Sequence, residues 1–432
     1  MSTDATAASA TPRLSGRLGI VSWCLFDWAI SAYHTIIVTF IFAAYFIGAV
    51  AEDPIAGTVQ WGYASMTAAL IIAALGPILG AIADQGGRRK PWLAVFLAVG
   101  VMLTALLAAT RPTPEDALFA VVIFAMATVA MELGQAFYNS MLPTIAPRPW
   151  LGRISGWGWG LGYAGGLACL ITALFGFVQS GAPWLGLDTG EEHLEHIRAT
   201  AIMASVWIAV FCLPMFLLTP DRPGTGLAPA EAVRRGLATL LQTIRQIRQH
   251  GTIARFLIAF LFYSNGLATL FAFGGAYATG TFGLTLTQVT YFAIALNVSA
   301  GLGAVAFAWA DDRIGPKLTV ALALVGLIVT GTILALTDSL TVFWVLGFVL
   351  GVFIGPAQAA SRSYMARLVP KHMETEMFGL YAFSGKATAF AGPLLFTAAT
   401  QAFDSQRAGV ASILAFLIVG LVLLYFVPKP ER

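Results

Sequence analysis

The chain has 432 residues, of which 58% are hydrophobic and 10% charged, with a formal net charge of +3. Soluble domains carry about 25% charged residues, so this composition excludes a water-soluble globular protein. Cys24, Cys169 and Cys212 each lie in an apolar stretch without paired spacing, which excludes a disulfide framework and a zinc site. We therefore expect a polytopic membrane protein that holds no metal and no cofactor.

Apolar segments long enough to cross a hydrocarbon layer of about 30 Å recur twelve times along the chain. Because backbone polar groups must be paired internally within lipid, each segment is predicted to be a helix. The predicted spans, numbered 1 to 12 from here on, are 20–48, 61–83, 91–110, 117–142, 152–178, 199–219, 253–278, 286–309, 317–337, 341–367, 376–402 and 407–427.

The distribution of basic residues predicts the orientation of these spans. With a cytoplasmic N-terminus, Arg111, Arg198 and Arg407 are the only lysines or arginines on the outer side. Cytoplasmic loops carry an excess of such residues, so both termini are predicted to be cytoplasmic. In a bacterium the chain would then lie in the inner membrane, and we expect a monomer.

Polar residues and glycines recur at similar positions in the two halves of the chain, with separations of 223 to 228 residues. The matching pairs are Asp84 and Asp312, Gly87 and Gly315, Gln135 and Gln358, Ser140 and Ser363, Pro147 and Pro370, Gly152 and Gly379, and Gly165 and Gly392. Repeated halves with a binding site between them are typical of secondary transporters. The predicted fold is all-α and membrane-integral, with twelve transmembrane helices in two pseudo-symmetric six-helix halves.

The predicted organisation has five parts: an N-terminal cytoplasmic tail at 1–19, a first half at 20–219, a linker at 220–252, a second half at 253–427 and a C-terminal tail at 428–432. The linker contains an apolar stripe between arginines, made of Leu237, Leu240, Leu241, Ile244 and Ile247. This pattern predicts a basic amphipathic helix on the inner leaflet rather than a nucleic-acid-binding segment.

The segment after span 2 resembles the signature of the major facilitator superfamily, Gly-x-x-x-Asp-Arg-x-Gly-Arg-Arg, except that Gln85 replaces the first arginine. A glycine permits close helix approach, and an acid at a helix C-terminus needs a partner because the macrodipole disfavours it. The resemblance implies that the acid bonds across to the other half and latches one conformation. The predicted conformational-switch residues are Gly80, Asp84, Gly87, Arg88, Arg89, Asp312, Arg313 and Gly315.

A second resemblance covers most of the chain. The segments at 23–33, 138–166, 358–363 and 378–393 resemble motifs of the vacuole effluxer family, in the same order. Eukaryotic members of that family are implicated in exporting amino acids from the vacuole during autophagy. The resemblance therefore implies transport of a small solute, with amino acids as one candidate class.

Charged or titratable side chains within spans are functional candidates, because a charge at the bilayer centre costs roughly 2.5–3.5 kcal/mol on insertion scales. Asp27 and His34 are seven residues apart and share one face of span 1. Similar spacing groups the polar residues of spans 4 and 10, and resemblance to the superfamily implies that spans 1, 4, 7 and 10 line a cavity. The predicted substrate- or proton-binding residues are Asp27, His34, Glu132, Gln135, Asn139, Asn265, Gln358, Arg362 and Lys386.

Two interpretations of these charges stay open. In the first, Lys386 and Arg362 attract an anionic group of the substrate, while Asp27 and Glu132 take an ammonium group or a coupling proton, with His34 as a further protonatable group. In the second, the charges only pair with each other and hold the halves together, for example as Asp27–Lys386 or Glu132–Arg362.

The function predicted from the sequence is secondary active transport of a small polar solute by alternating access, with proton coupling expected. The alternative is a membrane-embedded transferase that uses the polar cavity, although we find no catalytic cluster in the sequence. The glycines at 156, 158, 160, 162, 165 and 166 are interpreted as packing residues. Pro143, Pro214, Pro356 and Pro393 are expected to kink their helices.

Overall fold

The computed structural model describes residues 16–179, 183–190, 193–245 and 251–428. Within them, eleven helices are long and apolar enough to cross a membrane. Spans 1 to 10 are Arg17–Val50, Pro54–Gly86, Lys90–Ala109, Pro114–Ile145, Arg148–Val178, Glu195–Leu218, Gly251–Phe282, Leu286–Ile314, Pro316–Leu336 and Leu340–Leu368, and span 12 is Gln406–Tyr425. The predicted tails fall outside the described residues at 1–15 and 429–432.

Span 11 is not the continuous helix that the sequence predicts. It consists of two half-helices, Glu374–Lys386 and Ala391–Phe403, separated by four residues in turn conformation. Pro393 lies in the first turn of the second half-helix, where a proline costs no intrahelical hydrogen bond because the N–H groups of that turn have no helical partner. The sequence predicts a kink at Pro393, whereas the structure has a full break that begins six residues earlier, directly after Lys386.

Span 1 is also irregular. Its α-helix ends at Ala32, and the backbone continues in π geometry from Tyr33 to Phe40. Such segments are rare and frequently accompany functional sites. By contrast, Pro143, Pro214 and Pro356 lie inside helices that continue past them.

Spans 1–6 and 7–12 form the two halves, which meet where span 2 packs on the first half-helix of span 11 and span 5 packs on spans 8 and 10. Glycines of span 5 allow close contact with span 8 of the other half and with span 1 of the same half. A Cβ added to Gly156 would lie 2.6 Å from the Ala304 carbonyl oxygen, and one added to Gly165 would lie 2.3 Å from the Trp28 carbonyl oxygen. The glycine-rich face of span 5 is therefore a packing surface between span 1 and the other half.

The linker contains a helix, Pro229–Arg245, which packs on the end of span 2. A Cβ added to Gly236 would lie 2.7 Å from the Ile82 Cα, and Gln85 Nε2 donates to Thr239 Oγ1 at 3.3 Å. Leu240 is buried against this support, whereas Leu237 and Leu241 are exposed. Ile247 of the predicted stripe lies outside the described residues. We call the side of the bundle that carries this helix the linker face.

Candidate functional site

A buried ion pair joins span 1 to span 10. Arg362 Nη1 donates to Asp27 Oδ2 at 2.8 Å and to Asn139 Oδ1 at 3.2 Å, while Nε and Nη2 donate to the Ser155 hydroxyl and carbonyl oxygens. The side chains of Arg362 and Asp27 are only 2% and 6% exposed. The guanidinium thus has oxygen partners from spans 1, 4 and 5, all in the half opposite its own.

Aromatic rings enclose the same guanidinium. Its Cζ lies 5.0 Å from the ring centroid of Trp23, 5.8 Å from that of Tyr138 and 5.7 Å from that of Trp159, within the range of cation–π attraction. Gly158 leaves room for the pair, because an added Cβ would lie 2.4 Å from Asp27 Oδ2. This arrangement is a buried connection between the halves in which every nitrogen of the guanidinium has an oxygen partner.

A second ion pair between the halves has a different environment. Lys386 Nζ lies 2.7 Å from Glu132 Oε1, and the two side chains are 36% and 13% exposed. His34, at the start of the π segment, lies near both charges and beside the Gln135 side chain. The pair stands at the end of the first half-helix of span 11, so both backbone irregularities meet at this group.

The break in span 11 also contacts span 7. Asn265 Nδ2 donates to the Thr388 hydroxyl at 2.6 Å and to the Leu261 carbonyl at 3.0 Å. Its Oδ1 atom is buried and has no hydrogen-bond partner. A separate hydrogen bond joins spans 5 and 10, in which the Tyr163 hydroxyl donates to Gln358 Oε1 at 2.5 Å. Predicted residues of spans 4, 7 and 11 thus meet at the break in span 11, whereas Gln358 of span 10 binds to span 5.

The acid of the superfamily-like segment crosses between the halves at the linker face. Asp84 accepts hydrogen bonds from the backbone N–H groups of Thr375 and Glu376, at 3.1 and 2.8 Å. These groups begin a half-helix, where unpaired N–H groups favour an anion. Gly80 permits the approach, since an added Cβ would lie 2.5 Å from the Thr375 carbonyl oxygen.

Arg89 reinforces this closure. Its guanidinium donates to Glu374 Oε2 at 3.1 Å and to the Thr375 hydroxyl at 3.0 Å, and Arg222 of the linker also pairs with Glu374. Burial lowers the pKa of Arg89, and neighbouring Arg222 acts in the same direction, whereas Asp84 raises it. Glu374 therefore joins a loop of the first half, the linker and the second half.

The second half provides a matching contact. Asp312 accepts from the Gly152 N–H at 2.9 Å and from Arg153 Nε at 2.7 Å, both in the first half. Arg367 lies beside both Asp311 and Asp312, at 3.2 and 3.3 Å. The linker face is thus closed by two related sets of contacts.

The remaining predicted switch residues have simpler positions. Gly87 and Gly315 adopt positive φ angles of 81° and 89° where spans 2 and 8 end, a conformation that favours glycine. Arg88 lies beside Gly224 of the linker, and Arg313 is exposed. Neither Arg88 nor Arg313 forms an ion pair between the halves, as Arg89 does, among the residues that the structure describes.

Both example pairings from the sequence are wrong, because the structure forms Asp27–Arg362 and Glu132–Lys386 instead. Sequence reasoning also missed Glu374, Arg222, Ser155 and Thr388. Glu374 and Glu376 form a visible acidic pair before span 11, which is a usable signal. Among the residues that the structure describes, no group of three or more His, Cys, Asp or Glu side chains could hold a metal ion.

The family model described as "Vacuole effluxer Atg22 like" matches residues 62–152 and 150–431. An uncharacterized MFS-type transporter of Bacillus subtilis, YxiO, is 28% identical over 411 residues, which is 94% of each chain. Autophagy-related protein 22 of Yarrowia lipolytica is 24% identical over 314 residues, and this match spans 63% of the present chain but 50% of the fungal one.

Solved structures show the same architecture. The proton:xylose symporter XylE aligns with a TM-score of 0.71 over 96% of both chains at 14% identity. The human organic anion transporter MFSD10 aligns with the same TM-score at 13% identity, over 94% of this chain and 99% of that one. At these identities the likeness shows the major facilitator fold. Because the family model matches most of this chain, the chain belongs to the Atg22-like vacuole effluxer family of major facilitator transporters.

Proposed function

We propose that the protein carries small zwitterionic solutes, with amino acids as the leading class, by alternating access coupled to protons. The observation that carries this proposal is the part-exposed Glu132–Lys386 pair. One charge comes from each half, and a solute that bears both charges can replace the pair with two new ion pairs. No buried charge is then left without a partner, which would be costly.

The two ion pairs have separate roles in this proposal. Asp27 and Arg362 are already fully partnered and almost completely buried, so they connect the halves around the closed linker face. Glu132 and Lys386 are accessible, so they bind the solute. Both hypotheses about intramembrane charges then apply, each to a different pair.

Proton coupling is assigned to Glu132 and His34. Protonation of Glu132 would remove its attraction for Lys386, and His34 is a neighbouring side chain that can take up or release a proton. Gln135 and Asn265 supply neutral polar contacts on either side. The contacts at Asp84, Glu374 and Asp312 release during the opening of the linker face, which we assign to the cytoplasm because it carries the arginine-rich segments.

Counterflow in proteoliposomes loaded with an amino-acid mixture tests this proposal. Lys386→Ala should abolish counterflow in protein that still unfolds in a single cooperative melting transition. Lys371→Ala is the matched control, because Lys371 is exposed in the loop before span 11. If folded Lys386→Ala protein transports normally, the substrate role of Lys386 is wrong.

A further inference from the structure

A cavity of about 850 Å³ lies at the linker face, away from the Glu132–Lys386 pair. Arg148 contributes to its wall from the first half, and Arg313 and Arg367 contribute from the second. The rest of the wall is largely apolar and includes Leu318 of span 9 and Tyr425 of span 12. The cavity therefore combines cations at the end of the bundle with side chains that face lipid.

The arginines in this wall have unused binding capacity. Neither Arg148 nor Arg313 has an ion-pair partner among the residues that the structure describes, and both are exposed. Arg367 pairs through Nη2, but its Nε atom is buried without a hydrogen-bond partner. Asp312 is the one carboxylate that lines the cavity, and Gly152 and Arg153 already bind it. An anion from outside the described chain would complete the charge balance.

The internal repeat provides a related pocket in the first half for comparison. Lys90, Pro91 and Ala94 line a related pocket in the first half and precede Lys317, Leu318 and Ala321 of the cavity by 227 residues each. In both halves the lysine ammonium donates to a carbonyl near the end of the neighbouring span, that of Phe216 or Tyr425.

In the first half, the chain itself provides the anion for this pocket. Asp221 of the linker accepts from the backbone N–H groups of Arg89 and Lys90, at 3.0 to 3.2 Å. Among the described residues that line the cavity of the second half, no carboxylate takes the corresponding place.

We propose that this cavity binds one anionic phospholipid. The phosphate group would lie between Arg148 and Arg313, and the acyl chains would follow Leu318 and Val422, which are 48% and 52% exposed on the outside of spans 9 and 12. Basic pockets between transmembrane helices are known to hold anionic headgroups. Because Arg148 belongs to the other half, the bound lipid would also stabilise the closed linker face.

Native mass spectrometry of the protein in a non-ionic detergent tests this site. We expect one phosphatidylglycerol to be retained and phosphatidylcholine with the same acyl chains to bind far more weakly. Each cation near an anionic lipid is worth about 1 kcal/mol, so Arg148→Gln/Arg313→Gln should weaken binding about 30-fold. Arg255→Gln, at an exposed arginine outside the cavity, should bind like the native protein.

Three results would overturn the assignment. Equal loss in Arg255→Gln would reveal a general surface attraction rather than a site. Stabilisation by inorganic phosphate equal to that by phosphatidylglycerol would indicate a free-anion site. Tighter lipid binding by a chain that ends at Pro428 would show that the last four residues normally fill the cavity. Melting temperatures measured without lipid serve as the folding check. Among the described residues, neither Arg148 nor Arg313 has an ion-pair partner whose loss would destabilise the variants.

Discussion

Replacing Asp27 with asparagine should destabilise the protein severely, although the two side chains have almost the same size. The substitution leaves Arg362 positively charged, 2% exposed and without a counter-ion. Breaking a buried ion pair by removing one partner costs about 3–5 kcal/mol. Asn139 and Ser155 would still accept hydrogen bonds from the guanidinium, so the loss should fall near the lower end of that range.

A double-mutant cycle isolates this effect. Arg362→Gln in the Asp27→Asn background removes the unpaired charge, so the double variant should be more stable than Asp27→Asn alone. The penalty that remains comes from oxygens that lose their donor, at about 1–3 kcal/mol each. The matched control is Arg111 and Asp116, an exposed pair in which the arginine side chain is 67% exposed. The same cycle there should give little or no coupling energy, because solvent screens an exposed ion pair.

The assay is reversible unfolding in mixed micelles, followed by tryptophan fluorescence. A loss under about 1 kcal/mol for Asp27→Asn, or simple additivity of the two single losses, would refute the assignment of this pair as the buried connection between the halves. Additivity is informative because contacting residues are expected to show coupling energies of about 0.5–3 kcal/mol.

Two further predictions concern packing and closure. Gly158→Ala should lower the free energy of unfolding by roughly 1–3 kcal/mol through overpacking, because the added Cβ would lie 2.4 Å from a carboxylate oxygen of Asp27. In the control variant Gly134→Ala, the added Cβ meets its nearest neighbour at 3.5 Å, so this variant should be nearly neutral. Equal melting temperatures for the two variants would contradict this reasoning. Glu374→Gln removes the carboxylate shared by Arg89 and Arg222. A pair of spin labels on the linker-face ends of spans 2 and 11 should therefore report a larger population with a long distance between the labels. An unchanged distance distribution would show that Glu374 does not hold the linker face closed.

The membrane spans could be predicted from the sequence because apolar length and basic loops are local signals. The break in span 11 was harder to predict, since its run of small and apolar residues reads as one helix. Pro393 marks the start of the second half-helix, but a proline alone does not distinguish a kink from a break. A contact made at the break, between Asn265 and Thr388, joins residues far apart in the chain, so no local pattern records it.

The site could be predicted as a set of residues but not as a set of pairs. Helical spacing places Glu132, Gln135 and Asn139 on one face, yet it does not identify the partner across the bundle. Arg362 pairs with Asp27 because Gly158 and Ser155 of span 5 make room for it and bind it. That arrangement depends on three helices meeting at one level, which no local pattern records.

Binding of matched analogues to the purified protein tests the central claim most directly, namely that Glu132 and Lys386 together receive a zwitterion. For an amino acid identified by counterflow, calorimetry should compare the parent compound with its deaminated and decarboxylated analogues. Each lost charge removes a hydrogen-bonded contact worth about 1.5–3 kcal/mol, so each analogue should bind at least tenfold more weakly. Lys386→Ala should reduce the affinity for the parent compound and the deaminated carboxylate, and equal affinity of all three compounds for the native protein would contradict the account.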